Sequence, residues 1–547
     1  MPFNLIDEPW LPARRLSGAM EWIQPWRVSD FGPENDDPFT ALAAARPDFN
    51  GALTQFLIGL AQTLWPPLDE KAWRVRIKNP PDPEELRLTF STVKEAFNLD
   101  GPGPRFMQDL DPLAEAEPSS IHRLFIEQPG EKTLTDNADH FVHRGQVTAI
   151  CLPCAAQALF TLQTNAPSGG AGVRTGLRGG GPLTTLALGQ NLWQTVWLNV
   201  LTEPDFLQLC PPRDHTAPAD RFPWLGPTRT SEKGQQITPL DAAPDQYFWA
   251  TPRRLRLDFD RSAEEGICDL CGRVQSRLVT AYRTKPYGDN YKGGWRHPLT
   301  PYYKNKDEYL PVHGQPGSLA YRDFLGLVLA DPEEGRLPAA VISRYVAYVT
   351  EEAVPEAAGA ESFRVWAFGY DMDNMKARGW SEAVMPLVLV PADRRQVFED
   401  TAAALIRGAD YAAWVLLQAI KKAWFSPRAK TRDPAFIRPA LCEATEPGFY
   451  QTLGRLKAVL TPDSSMWSQE ITDLKLVWLS RLREEALSLF DRHSQADQIE
   501  DADPKRIALA RRDLRLSLAP GGKKVIKTLL LPQPPESPQP ASSKKRR

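Results

Sequence analysis

The sequence has few cysteines, six in 547 residues, which is too few for a disulfide-stapled scaffold of this length. It also has no uninterrupted apolar run approaching the ~18 residues of a membrane-spanning helix. Its first residues lack the apolar core that a signal peptide needs. These absences predict a cytoplasmic protein with no membrane partner.

The chain also lacks an excess of basic residues. Its 65 Lys and Arg residues against 68 Asp and Glu residues give a formal net charge of −3. A protein that coats nucleic acid by itself is strongly basic. Any contact with nucleic acid must therefore be local or be shared with partner subunits.

Recognisable catalytic signatures are missing as well. The sequence contains no HExxH, GxSxG or Walker motif and no Asp/Glu cluster with metal-binding spacing, and its seven His residues are scattered. A binding protein is therefore favoured over an enzyme. The competing hypothesis is a zinc-containing nuclease or another nucleic-acid-processing enzyme, which would need turnover that depends on carboxylates or on the cysteines.

Proline is abundant instead, with 51 residues, about 9% of the chain, against a usual ~5%. Residues 102–355 combine prolines and glycines with short β-like runs and two long polar loops, which is typical of a mixed α/β domain. Farther along, apolar residues recur at helical spacing in four segments. These segments are residues 394–425, 449–460, 467–490 and 503–518.

The predicted fold class is therefore mixed α+β, in three parts. Residues 1–385 form a large α/β N-terminal domain with long loops, and residues 386–520 form a C-terminal four-helix bundle. Residues 521–547 are rich in Lys and Pro and predict a disordered tail, because they cannot bury enough apolar surface to become ordered. This tail is either simply solvated or an arm that binds phosphate or a partner.

Four of the six cysteines fall in two C-x-x-C pairs, Cys151 with Cys154 and Cys268 with Cys271. Each pair can bind one metal ion from a single tight turn, and two pairs complete a tetrahedral four-cysteine site. One structural zinc ion is the expected occupant. Redox-active dithiols and unligated thiols remain as alternatives.

Two loops are candidates for contact with another molecule. The glycine-rich segment 165–182 matches no nucleotide-binding fingerprint, so it is either a structural loop or a backbone that approaches a partner closely, with Arg174 and Arg178 available for phosphates. The loop 282–309 interleaves basic and aromatic residues. It is either a solvated face or a path along which an opened nucleic-acid strand stacks.

Taken together, these motifs resemble the large subunit of the type I-E CRISPR Cascade surveillance complex, the CasA family. The resemblance extends to about residue 520 and includes the two cysteine pairs. Its other motifs occupy residues 4–12, 165–170, 176–185, 197–202, 294–298 and 368–378.

The resemblance implies a non-catalytic subunit of a crRNA-guided complex that recognises the protospacer-adjacent motif in double-stranded target DNA. Such a subunit starts duplex opening and R-loop formation and helps to recruit the helicase-nuclease. Its partners are crRNA, target DNA, the backbone and small-subunit dimer of Cascade, and that helicase-nuclease.

The resemblance also assigns roles to residues of this sequence. The loop that approaches the minor groove comprises Ser168, Gly169, Gly170, Ala171 and Gly172, and Lys285 is the lysine that reaches into the groove. The wedge that enters the duplex comprises Asn374, Met375 and Lys376. The contact with the crRNA 5′ handle falls on Phe141, Val142, His143 and Arg144.

Overall fold

The computed structural model describes residues 2–34, 36–128, 130, 134–137, 145–210, 217–351, 364–373, 376–426, 434–460, 467–495 and 502–533. The chain divides into two compact units. The first comprises Met1–Leu319 and Leu325–Leu387, and the second comprises Ala320–Phe324 and Val388–Arg547. The mixed α/β fold class is confirmed.

The first unit combines helices with several small sheets. Its helices are α1 (Pro47–Leu64), α2 (Glu70–Lys78), α3 (Pro83–Ser91), α4 (Leu152–Asn165), α5 (Leu192–Leu198), α6 (Glu203–Leu209), α7 (Pro218–Arg221), α8 (Gln246–Trp249) and α9 (Ala340–Glu351).

The strands of this unit form two- and three-stranded sheets, in the orders β2-β1-β3, β10-β5, β4-β11-β7, β13-β12-β14, β16-β15-β6 and β8-β9. They are β1 (Leu11–Arg15), β2 (Met20–Ile23), β3 (Phe39–Leu42), β4 (Ser119–Ser120), β5 (Ile150–Cys151), β6 (Thr184–Leu188), β7 (Arg254–Asp258), β8 (Gly266–Ile267), β9 (Val274–Gln275), β10 (Leu278–Val279), β11 (Ala281–Lys285), β12 (Tyr302–Asn305), β13 (Glu308–Pro311), β14 (Arg336–Leu337), β15 (Arg364–Asp373) and β16 (Lys376–Pro386).

Helix α1 is the centre of the core of this unit. The helix begins with a proline, which suits this position because an N–H there would have no acceptor within the helix. Leu53, Phe56 and Leu60 of α1 are buried. The ring of Phe56 makes edge contacts with Trp10 and Phe160 at centroid distances of 5.1 and 5.4 Å. Because Phe160 belongs to α4, this packing fixes the helix that leads into the glycine-rich segment.

The second unit is built from long helices. They are α10 (Arg395–Trp424), α11 (Ile437–Val459), α12 (Trp467–His493), α13 (Pro504–Ser517) and the short α14 (Lys523–Leu529). Helix α10 packs against the other four, and the indole N–H of Trp478 donates to the carbonyl of Leu405 at 2.9 Å. Apolar side chains such as Leu416, Phe449 and Leu482 are buried between them.

The start of the predicted disordered tail differs from expectation. Residues 523–529 are helical, and Val525 and Leu529 are each 1% exposed. Leu529 covers the backbone of Gly408, which has no side chain to hold it away. Two apolar contacts therefore order a segment whose composition is mostly polar. Among the described residues, no helix combines the length and the apolar character needed to cross a membrane.

Candidate nucleic-acid interface and metal centre

Two turns bring four cysteine sulfurs together. Cys151 ends β5, Cys154 lies in the first turn of α4, and Cys268 and Cys271 lie between β8 and β9. The four Sγ atoms lie within 4.8 Å of one another, and those of Cys151 and Cys271 are 3.7 Å apart. A tetrahedral site with metal–sulfur bonds of about 2.3 Å places its sulfurs about 3.8 Å apart. The cluster can therefore hold one metal ion.

Backbone and carboxylate hydrogen bonds fix the two turns relative to each other. The backbone N–H of Cys151 donates to Sγ of Cys268 at 3.3 Å. One carboxylate oxygen of Asp269 accepts from the backbone N–H groups of Thr148 and Ala149 at 2.6 and 2.9 Å. The ligands are thus oriented by the fold before any ion binds, as in other structural metal sites.

The four thiols differ in acidity, which matters because thiolates are the metal-binding form of cysteine. A hydrogen bond from Cys154 lowers the pKa of Cys271 to about 7. A hydrogen bond from Cys151 lowers the pKa of Cys268, whereas the hydrogen bond with Cys151 raises the pKa of Cys154. A redox dithiol needs only two sulfurs, so the convergence of all four favours a metal site.

Helix α4 leads directly into the glycine loop, which we define as residues 168–172. Gly170 and Ala171 are exposed, and a Cβ atom added at Gly170 would meet nothing within 4 Å. Gly172 has a φ of +78° and lies so close to Tyr287 that an added Cβ would be 2.9 Å from its ring. The tip of the loop is therefore open to a partner, whereas its end must be glycine.

The structure brings the glycine loop to the end of β11, where Lys285 lies. The backbone N–H of Tyr287 donates to the carbonyl of Gly172 at 2.7 Å. The side chain of Lys285 is partly exposed, and its Nζ lies 3.6 Å from a carboxylate oxygen of Glu115, which is 91% exposed. Such a solvent-exposed ion pair is weak. The ammonium group can exchange it for a phosphate or a base edge.

One residue of the predicted wedge, Lys376, begins β16, which pairs with β15 as a hairpin. The register runs from Arg364 opposite Pro386 to Asp373 opposite Lys376, and β6 pairs with the other edge of β15. Lys376 is exposed at the start of β16. The other two wedge residues, Asn374 and Met375, lie outside the described residues. So do the four predicted contacts with the crRNA handle, Phe141, Val142, His143 and Arg144.

Residues 4–489 match the sequence model of the family described as CRISPR-associated protein Cse1. The chain belongs to the Cse1 family. This match confirms the resemblance on which the site assignments depend.

Solved structures of Cse1 proteins share this fold at low sequence identity. Thermus thermophilus CasA is 19% identical, with a TM-score of 0.68 over 95% of this chain and 99% of that chain. Thermobifida fusca Cse1 is also 19% identical, with a TM-score of 0.66 over 97% of this chain and 98% of that chain. A chain from a structure described as a CRISPR RNA-guided surveillance complex is 17% identical, with a TM-score of 0.66 over 94% of this chain and 99% of that one.

Of the two alternatives for the loop 282–309 of this Cse1 protein, the stacking path is not supported by most of its aromatic residues. Tyr282, Tyr291, Trp295 and Tyr302 are buried and therefore cannot offer their faces to bases. The guanidinium of Arg296 lies over the ring of Tyr302 at 4.9 Å. Most of the aromatic residues of this basic segment therefore belong to the core, whereas Tyr303 and the lysines at 292, 304 and 306 are exposed.

Arg178 is not accessible to an outside phosphate either. It is buried, and its guanidinium donates to Gln55, Thr184 and Thr300 at 2.8, 3.0 and 3.1 Å. Burial lowers the pKa of Arg178 to about 10. The other candidate, Arg174, donates to the hydroxyl of Ser231 at 2.8 Å. Arg178 therefore holds the glycine-rich segment in place from within, and the partly exposed Arg174 ties it to Ser231.

Sequence reasoning missed the residues that support the glycine loop. The guanidinium of Arg253 donates to the carbonyl of Pro167, immediately before the loop. His313 Nδ1–H donates to the carbonyl of Gly180 at 3.0 Å. Both lie far from the loop in sequence, so no local pattern could reveal them. The sequence shows the triple glycine 179–181, but it does not show which residues pack against these glycines in the fold.

Proposed function

We propose that this Cse1-family chain is a non-catalytic subunit of a crRNA-guided DNA surveillance complex. In that complex it recognises the protospacer-adjacent motif, starts duplex opening and helps to recruit a helicase-nuclease. Helices α10–α13 correspond to the four-helix bundle of the family. The partners are crRNA, double-stranded target DNA, and the backbone and small-subunit dimer of the complex.

The observation that carries this proposal is the hydrogen bond between Tyr287 and the glycine loop, which joins the loop to the strand end that bears Lys285. An exposed backbone without bulky side chains can approach the floor of the minor groove, and a lysine beside it can reach a base edge or a phosphate. The minor groove presents a degenerate pattern of donors and acceptors. Motif recognition should therefore tolerate several sequences.

Duplex opening is assigned to Asn374, Met375 and Lys376. Met375 is apolar and can slip between base pairs, while Asn374 and Lys376 can satisfy base edges or phosphates. Phe141, Val142, His143 and Arg144 are assigned to the crRNA 5′ handle. The near-neutral net charge of the chain fits a subunit whose partners make most of the contacts with guide and target.

One zinc ion bound by Cys151, Cys154, Cys268 and Cys271 would serve a structural role. Cys154 starts the helix that leads into the glycine loop, and the turn of Cys268 and Cys271 precedes the strands that lead to Lys285. The four thiols would therefore tie together the origins of both DNA-facing segments. For this role the ion needs only to be bound by the four cysteine thiolates, and no reaction at the metal is required.

The test uses Gly170→Trp in the complete complex with crRNA. Because the Cβ position of Gly170 is free of protein neighbours, the indole can be accommodated without disturbing the fold. We expect binding to a motif-bearing duplex to weaken at least tenfold, because the ring blocks close approach of the backbone. Binding to a target whose motif-proximal pairs are already open should change less than threefold.

Gly103→Trp is the matched control, since its Cβ position is equally free of neighbours and lies outside the loop. It should leave both affinities unchanged. Equal weakening of both targets by Gly170→Trp would contradict the assignment of motif recognition to the glycine loop.

A further inference from the structure

The glycine loop and the β15–β16 hairpin share one neighbour, the triple glycine at residues 179–181, which we call the glycine spacer. On its loop side, a Cβ atom added at Gly180 would lie 3.0 Å from the backbone nitrogen of Ser168 and 3.1 Å from Cα of Pro167. Both are main-chain atoms and cannot rotate away. The spacer therefore lies in close contact with the base of the glycine loop.

On its hairpin side the spacer touches β15. Gly181 has a φ of +63°, and an added Cβ would lie 2.6 Å from Cγ of Met372 and 3.2 Å from Cβ of Tyr370. Met372 is the penultimate residue of β15, directly before the paired residues that close the hairpin. The spacer thus separates the loop from the end of the hairpin by the thickness of a bare backbone.

His313 and Gly314 hold the spacer against the hairpin. His313 Nδ1–H donates to the carbonyl of Gly180, and an added Cβ at Gly179 would lie 2.8 Å from Cε1 of His313. Gly314 forms a parallel bridge with Asp371 of β15. Its own Cβ position lies 2.4 Å from the carbonyl oxygen of Tyr370, which only glycine permits.

We propose that the glycine spacer is a positioning element that transmits motif binding at the glycine loop to the β15–β16 hairpin. This inference rests on the proposed function and adds residues to which that function assigned no role. A loop that moves toward the minor groove pulls on Pro167 and Ser168, and these atoms lie directly on Gly180. Because the spacer itself carries no side chain, the displacement passes through main-chain atoms to Gly181 and from there to Cβ of Tyr370, an atom that no rotamer change moves, and to the side chain of Met372.

The alternative role of the spacer is to support the glycine loop alone. In that case a substitution in the spacer would weaken motif binding, and the rate of duplex opening would fall only by the same factor as the affinity for the motif. A transmitting role predicts a different result: motif binding is retained, whereas opening by the bound complex becomes slow. The two roles are therefore separated by measuring binding and opening independently.

The test uses Gly180→Ala in the complete complex with crRNA. Gly180 is not in the left-handed backbone region, so alanine adds only its methyl group, which must displace the loop base by a few tenths of an ångström. Motif binding is measured with a duplex that carries the motif but has no complementarity to the guide. Opening is measured at saturating protein on a fully paired target that carries 2-aminopurine beside the motif.

We expect Gly180→Ala to change the affinity for the motif-only duplex less than threefold and to slow opening about tenfold, the size of coupling that contacts between two sites carry. Met372→Ala, which removes the contact on the hairpin side, should have the same signature. Gly103→Ala adds the same methyl group where no atom lies within 4 Å and should change neither quantity.

Two results would overturn the inference. One is a loss of motif affinity in Gly180→Ala that accounts for the whole loss in opening rate. The other is unchanged opening in both Gly180→Ala and Met372→Ala. Failure of the proposed function would look different, because the unsubstituted complex would then show no dependence on the motif in either measurement.

Discussion

At the scale of the single residue, Lys285 has the best-defined prediction. Its ammonium group makes one solvent-exposed ion pair with Glu115, at 3.6 Å, which is easily exchanged for a phosphate. We expect Lys285→Ala to weaken binding of the complex to motif-bearing duplex. The slope of log K against log salt concentration should fall by about one, because one phosphate contact is lost. Titrations at several salt concentrations measure both quantities.

Lys292→Ala is the control for that prediction, since Lys292 is an exposed lysine of the same segment and has no role in the proposed interface. It should leave the affinity and the salt slope nearly unchanged. If both substitutions reduced the slope equally, the contact would be a diffuse property of the segment and the assignment to Lys285 would fail.

A role that depends on local spacing could be predicted from the sequence, whereas a role that depends on the tertiary surroundings of a residue could not. The four cysteines could be grouped because spacing of two intervening residues is itself the signature of a shared metal. Arg178 could not be distinguished from a surface arginine, since its partners Gln55 and Thr300 are 123 and 122 residues away. Its burial results from tertiary packing, which the neighbouring glycines in the sequence do not indicate.

At the scale of the element, two glycines in helices of the second unit form a matched pair. Gly408 in α10 lies under Leu529 of α14, and an added Cβ would be 2.5 Å from its Cδ2. Gly454 in α11 is exposed and has no atom within 4 Å of that position. We expect Gly454→Ala to raise the free energy of unfolding by about 0.5–1 kcal/mol, because glycine weakens helix interiors.

Gly408→Ala should instead lower the free energy of unfolding by about 1–3 kcal/mol, because the methyl group overfills the contact with α14. Thermal denaturation of both variants measures the difference. A stabilising Gly408→Ala would mean that the Leu529 side chain shifts so easily that the gain in helix propensity exceeds the cost of the contact.

The helices of the second unit were predictable because each is amphipathic over several turns. Helix α11 was predicted only from residue 449, whereas it begins at Ile437 and contains Pro447. Proline lacks the N–H of a helical hydrogen bond, so it argues locally for a helix end, and packing around it overrides that preference. Helix α14 was not predicted because its two buried apolar residues, Val525 and Leu529, are too few to show a helical periodicity.

At the scale of the whole molecule, the cysteine cluster joins segments that are 117 residues apart at Cys151 and Cys268. Structural zinc–thiolate sites contribute about 10 kcal/mol or more to the apparent free energy of folding. We expect natively purified protein to contain one zinc ion per chain. Cys271→Ser should lose that stoichiometry and lower Tm by about 5–10 °C.

Cys442→Ala provides the control, because Cys442 is buried and lies outside the cluster. It should lower stability through lost packing while leaving the zinc content at one per chain. Native protein without stoichiometric zinc would contradict the metal assignment, whatever the stability of the variants.

In the proposed function, duplex opening belongs to the whole assembly, because pairing with the guide offsets the cost of separating the first base pairs. That first step costs a few kcal/mol of stacking and pairing, and the later exchange of DNA for RNA pairing is nearly balanced. The initial separation can therefore control whether an R-loop forms. Lys376, one of the residues assigned to this step, begins β16, which pairs with β15, and β6 pairs with the other edge of β15.

We expect the double substitution Asn374→Ala with Met375→Ala to slow R-loop formation on fully paired DNA about tenfold or more. R-loop formation on a target with mismatched motif-proximal pairs should be unaffected, because the step that needs the wedge has already been made. Stopped-flow fluorescence on the two targets measures both rates. Since the guide and the glycine loop are intact in this variant, equal rates on paired DNA with and without the substitutions would remove the wedge role from Asn374 and Met375.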